Sequence, residues 1–257
     1  GNVLLRRAQY RMSEDELLST HLGSLFIGGK IANHRSILRR FMRDHHPDEI
    51  ITEEIENAIC LLKRELGMLP HQHTRLEIMG VEGYSANIYF SVFKHLILNP
   101  EFQFEKRSKR PPKDEVNALL SFFYTFLAHD VRAALETVGL DAYVGFLHTD
   151  RPGRPSLALD LMEELRGYLV DRFVLSVINK RQIHKNDFIV QGENGYLIHE
   201  DTRKELISMW QKRKKDVITH PFLQEKIPIG LLPYAQAQLL SRFLRGDLDN
   251  YPVFLNT

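Results

Sequence analysis

The chain has 257 residues, 43% apolar and 26% charged, an ordinary balance for a globular protein of one large domain or two small ones. Thirty-four Lys and Arg against 33 Asp and Glu leave a net charge of +1, so there is no global attraction to a polyanion and any nucleic-acid contact must rest on local clusters. A single cysteine, Cys60, excludes an intrachain disulfide, and no apolar run approaches the ~20 residues of a membrane span, so the sequence reads as cytoplasmic with no membrane partner.

The fold class expected from periodicity is all-α. The chain opens without Met and is expected to begin inside a longer protein. Residues 1–12 read as a strand or the end of an interdomain linker, and residues 13–257 as one helical domain. Leu17, Leu18, Leu22, Leu25 and Phe26 recur at helical spacing. A second run, Ile31 to Met42, sets Lys30, Arg35, Arg39, Arg40 and Arg43 beside Ile37, Leu38 and Phe41, a basic face suited to tracking phosphates. Pro47 ends that run. Ile51, Ile55, Ile59 and Leu62 form the next stripe, which places Cys60 in an apolar helix as a buried free thiol. The His71-Gln72-His73 triplet does not put two rings on one helix face and is not read as a metal site.

Thr74 and Glu77 have capping-box spacing, so a long helix starts there. On it Glu82 shares a stripe with Ala86, Tyr89, Phe93 and Ile97, where a lone carboxylate is costly unless it is paired or holds a metal. Gly80 and Gly83 flank it and leave room for close approach. Residues 105–114 are a basic loop that includes Arg110, Asp114 opens a helix, and Gly139 closes it. An apolar run, Tyr143 to Leu147, then stops at His148. A tight loop carrying Arg151 and Arg154 follows, and Ser156 stands as the N-cap of a helix expected to reach about Val177. Asp160 and Glu163 are three apart and project from one face, with Glu164 close by and Gly167 one turn on. Imidazole and carboxylates together suit a divalent metal, and guanidiniums suit phosphate. Asn194-Gly195 marks a small β-hairpin near 188–198. Helices over 202–216 and from Pro228 to Phe243 complete the chain.

The stretches GVEGYSANIYF, RPPKDEVNALLSFFYTFL and GFLHTDRPGRPSLALDLMEELR resemble the signature blocks of the CRISPR adaptation endonuclease family, the integrase subunit also called CRISPR-associated protein one. The resemblance implies that Glu82, His148 and Glu163 meet as ligands of one Mg²⁺ or Mn²⁺. Some members have Asp at the Glu163 position. It implies that Asp160 is an auxiliary ligand or orienter, which makes Glu82, His148, Asp160 and Glu163 the catalytic set. Lys30, Arg35, Arg39, Arg110, Arg151 and Arg154 are the expected DNA contacts. The implied activity is a metal-dependent DNA endonuclease and integrase that captures foreign DNA and inserts it as spacers into the CRISPR array by 3′-hydroxyl attack on a phosphodiester. The implied partners are double-stranded DNA (prespacer and repeat), a second copy in a homodimer, and a small ferredoxin-fold subunit. The family has an N-terminal β domain that these residues do not include, so the chain is expected to be the helical catalytic domain. Two other readings stay open. His129-Asp130 is the dipeptide of HD-type metal phosphohydrolases, and a helical DNA-binding or assembly module needs no catalysis at all.

Overall fold

In the computed structural model, which describes residues 2–256, helices begin where short polar side chains can take up the orphan N–H groups of a first turn. Asn2, Asp15, Asp48, Thr74 and Asp114 each accept the backbone N–H three residues on. They open α1 (Val3–Glu14), α2 (Glu16–His45), α3 (Glu49–Met68), α4 (Arg75–Val92) and α5 (Glu115–Val138). Thr74 and Glu77 form the full reciprocal capping box, and Gly139, at φ 93°, closes α5. The first of these helices corrects the sequence reading: residues 3–14 are helical and not a strand, because the Asn2 cap and Leu5, buried at the start of α1, hold them on α2 and α9.

The long α2 is one helix of 30 residues where two runs were expected. Its buried stripe, from Leu22 through Phe26, Ile31 and Leu38, is continuous, and packing against α3, α4 and α6 carries it through Gly28 and Gly29. It stops at His46, which is left-handed at φ 46° just before Pro47. Cys60 is exposed, on the outer side of α3 rather than in its buried stripe.

The helix after the His148 loop is α6 (Ser156–Leu165). It passes through a π-helical segment, Arg166–Asp171, into α7 (Arg172–Asn179). A π turn accommodates one extra residue and is common at functional sites. Ser156 is the first helical residue and not the cap; its hydroxyl reaches back to the Thr149 carbonyl at 3.2 Å.

Two small hairpins interrupt the helices. β1 (Phe188–Val190) pairs with β2 (Tyr196–Ile198) as expected, through a turn longer than two residues. Gly195 is needed there: φ is 84°, and a Cβ would collide with the Pro112 carbonyl oxygen. After α8 (Glu200–Arg213) a second antiparallel hairpin, β3 (Val217–Thr219) with β4 (Lys226–Pro228), was not anticipated. The last helix, α9 (Leu232–Leu244), therefore starts later than Pro228. No helix among the described residues is long and apolar enough to cross a membrane.

The C-terminal tail is tied to the centre of the fold through Glu164, which is fully buried. Its carboxylate accepts from the Tyr251 hydroxyl, from Gln236 Nε2 at 2.9 Å and from the Phe254 N–H at 2.8 Å. Burial pushes this carboxyl up from 4.5 to about 7, against the opposing pull of those donors. The folded protein then keeps a proton that the unfolded chain releases near 4.5, so this residue's contribution to stability falls as pH rises from about 4.5 to 7. The loss is on the order of 3 kcal/mol. Urea unfolding at about pH 5 and about pH 7.5 should show that decline in the wild type and a flatter profile in Glu164→Gln. An equal decline in both proteins would contradict it.

Candidate metal centre

Helices α2, α4 and α6 pack together so that Lys30, Glu82 and Glu163 meet, with Lys30 and Glu82 in the lining of a cleft of about 580 Å³. The Lys30 ammonium pairs with Glu82 Oε1 and with Glu163 Oε2, the latter at 2.8 Å. Glu163 Oε1 takes the Arg166 guanidinium at 2.8 Å, one turn further along the same helical face. Arg166 in turn lies over the Tyr124 ring at 5.1 Å. Glu163 is 3% exposed. Burial alone would raise its pKa, but Arg166, Lys30 and His148 hold it down to about 2. Its stabilising charge is thus fully present above 4.5 and is lost as pH falls toward 2.

Asp160 does a different job from Glu163. It is fully buried and accepts three consecutive backbone N–H groups, from Phe146 at 2.6 Å, Leu147 at 3.0 Å and His148 at 2.9 Å. The same carboxylate takes the His148 ring Nδ1 at 2.6 Å. An ionised acceptor at Nδ1 sets the tautomer, so Nδ1 carries the proton and Nε2 presents a lone pair. Gly145 makes room for this arrangement, since a Cβ there would lie 2.8 Å from Asp160 Oδ2 and from Ser156 Cβ.

Behind Lys30 one helical turn on, His34 is buried and stacked on Tyr89 with centroids 3.8 Å apart, and Gly167 lets the π segment pack on that ring. Burial lowers the His34 pKa despite Asp171, 3.5 Å from its Nε2, so the ring is neutral. Asp171 also takes the Tyr124 hydroxyl at 2.5 Å. The opposite wall of the cleft carries Lys106, Arg107 and Lys109 from the 105–114 loop.

Two carboxylates converge on one buried cationic point, and Glu163 Oε2, facing that point, has no hydrogen-bond donor in good geometry. The Glu82 and Glu163 carboxylates and the His148 ring are donors of the type that Mg²⁺ or Mn²⁺ accepts. The structure does not bring all three to coordination distance: among the described residues no three His, Cys, Asp or Glu side chains form a metal-holding cluster, and the Lys30 ammonium lies between the two glutamates.

The structure places the remaining residues singled out in the sequence as follows. Lys30 is not on the protein surface. It is 5% exposed and lies at the centre of the site. Arg35 is half-buried and Arg39 exposed on α2, and neither lines the cleft. Arg110 and Arg151 are exposed and Arg154 half-buried, all outside the cleft lining. Gly80 and Gly83 meet no close neighbour, so they admit no tight packing. The HD reading finds no support, because His129 is exposed while Asp130 pairs with Lys214 at 2.5 Å. Sequence reasoning missed Arg166, although it extends the Asp160–Glu163 row by three. It also missed that position 30 lies on the same stripe as Ile27, Ile31 and His34, which marks it as inward-facing.

Buried acids that gather cations beside a cleft lined by lysines and arginines suit a phosphate-bearing ligand. The profile of the family described as "CRISPR associated protein Cas1" matches residues 1–212. The chain is 50% identical to a protein of Chlorobaculum tepidum named CRISPR-associated endonuclease Cas1 1, over 99% of this chain and 75% of that one. Among solved structures, a casposase bound to its integration product superposes with a TM-score of 0.84 at 23% identity, covering 97% of this chain and 67% of that one. A partial Cas6-RT-Cas1–Cas2 complex superposes at 0.83 with 25% identity, over 97% and 72%. The chain belongs to the CRISPR-associated Cas1 family. It is accordingly a nuclease, on a mainly helical fold of the all-α class that the sequence periodicity predicted.

Proposed function

We propose that this chain cuts DNA and joins it to the CRISPR array as new spacers, with Glu82, His148 and Glu163 holding one Mg²⁺ or Mn²⁺. The observation that carries the reading is the convergence of Glu82 and Glu163 on one buried cation in the wall of a basic cleft, in a chain of this family. When bound, the metal supplies Lewis-acid stabilisation of the scissile phosphoryl oxygen and of the leaving 3′-oxygen.

The protein's own part is orientation and charge. Asp160 is a positioning residue that aims the His148 Nε2. Arg166, fixed by Glu163 and by Tyr124, keeps further N–H donors for a non-bridging phosphate oxygen. Lys106, Arg107 and Lys109 receive the flanking phosphates. Integration is a transesterification: a DNA 3′-hydroxyl gives up its proton and attacks phosphorus, the P–O3′ bond breaks, and the leaving 3′-oxygen takes up a proton. Water replaces the hydroxyl in hydrolysis, and no covalent enzyme nucleophile is needed. The partners in this reading are duplex DNA, a second copy of the protein and the small ferredoxin-fold Cas2 subunit, as the resemblance and the Cas1–Cas2 neighbour support.

The test mixes the protein, alone and with that subunit, with a 3′-hydroxyl oligonucleotide duplex and supercoiled plasmid. Mn²⁺ should give nicked plasmid covalently joined to the oligonucleotide, and EDTA should give none. Equal joining in EDTA, or neither nicking nor joining by the full complex in Mn²⁺ or Mg²⁺, would reject the reading.

A further inference from the structure

A second cleft, of about 690 Å³, opens between α2, α7 and α8 and shares no lining residue with the metal cleft. Its cations come from three separate places in the chain. Arg40 stands on α2, Arg172 at the start of α7, and Arg213 at the end of α8. Two of the three already have acids: Arg40 pairs with Asp44 at 3.2 Å and Arg213 with Asp216 at 2.8 Å. Arg172 has no ion pair among the described residues. It is half-buried, with its guanidinium 4.7 Å over the Tyr168 ring, and burial lowers its pKa, with the positive charges of Arg40 and Arg213 adding to the effect. A desolvated guanidinium beside two like charges is a standing electrostatic cost that an anion would relieve. Lys180 and Lys212 also line the cleft, so its charge stays positive after Asp44 and Asp216 are counted. Phe41 and Phe173 form part of the lining and keep the local dielectric low.

We infer that this cleft binds a phosphodiester of the DNA substrate outside the metal site, with Arg172 as the central donor and Arg40 and Arg213 beside it. Planar guanidiniums match the oxygens of a phosphate, which favours phosphate over a diffuse counter-ion. The inference rests on the DNA-processing function proposed above. The two clefts are near each other: His34 of the metal cleft and Arg40 of this one are six residues apart on α2, or about 9 Å along the helix axis and about 120° around it. The second site then fixes the register of the duplex without touching the reacting phosphate.

The experiment compares wild type, Arg172→Gln and the double variant Arg40→Gln/Arg213→Gln by fluorescence anisotropy on a labelled duplex over a series of salt concentrations. Each variant should bind about 10-fold more weakly at low salt. The slope of log affinity against log salt should fall by about 0.9 for each phosphate that the variant no longer neutralises. The rate of DNA cutting at saturating DNA, in Mn²⁺, should stay at the wild-type value. The double variant alters more exposed side chains, so it remains informative if Arg172→Gln does not fold. Unchanged affinity and slope in the folded variants, with wild-type protein that binds and cuts DNA, would overturn this inference alone. Wild-type protein that does not bind DNA would overturn the proposed function with it.

Discussion

Alanine at His148, Glu163 or Glu82 is expected to lower Mn²⁺-supported DNA cutting and joining by more than about 100-fold, since removing groups that only orient a ligand already costs about 10–100-fold. The three variants should not behave alike in stability. Glu163→Ala leaves Lys30 and Arg166 buried beside each other without the carboxylate that both touch, so it should also unfold at lower urea. Glu82→Ala leaves Lys30 still paired with Glu163, and Glu82 is 27% exposed, so its effect should fall mainly on activity. His148→Ala removes one of the four groups held by Asp160 and leaves the three backbone bonds in place. Circular dichroism and duplex binding should stay near wild type for Glu82→Ala and His148→Ala. A His148→Ala protein that cut DNA at the wild-type rate in Mn²⁺ would remove the imidazole from the site.

Asp160→Ala should be the most destabilising single change at the site, for a reason unlike that of its neighbours. It strips the acceptor from three buried N–H groups and from the His148 ring at once. At about 1–3 kcal/mol for each buried donor left unsatisfied, and with partial relief by water, the expected loss is about 3–6 kcal/mol. Asp160→Asn keeps an acceptor but turns a donor toward the same N–H groups, so it should fold with a smaller penalty. In that variant Nδ1 loses its anionic partner, and Mn²⁺ affinity measured by calorimetry should drop by about 10–100-fold. The pH dependence of cutting should also move, which a packing defect alone would not cause. An Asp160→Ala protein with wild-type urea midpoint and Mn²⁺ affinity would show that the carboxylate orders nothing.

Much of this fold is legible in the sequence because its signals are local. Thr74 with Glu77, Asp114 and Gly139 act on the backbone within four residues of themselves, and the structure puts helix ends where they stand. The β1–β2 hairpin follows from Asn194-Gly195 in the same way. The misreading at residues 3–14 has a different cause: α1 is held by α2 and α9, and an isolated segment of that length has no fixed preference.

The site divides along the same line. Local spacing alone determined that Asp160 and Glu163 lie on one face of a helix after a turn that carries His148. It could not decide what each acid does, because Asp160, Glu163 and Glu164 are near-identical groups within five residues. Their surroundings come from elsewhere in the chain. The folded-back 146–148 backbone makes Asp160 an orienter. Arg166, together with Lys30, holds the buried Glu163 carboxyl down to about 2. Burial beneath the tail keeps the Glu164 proton on to about 7, against the donors Tyr251 and Gln236. A carboxylate's role is set by the charges and donors within a few ångströms of it, and only the packing of α2, α4, α6 and the tail supplies those.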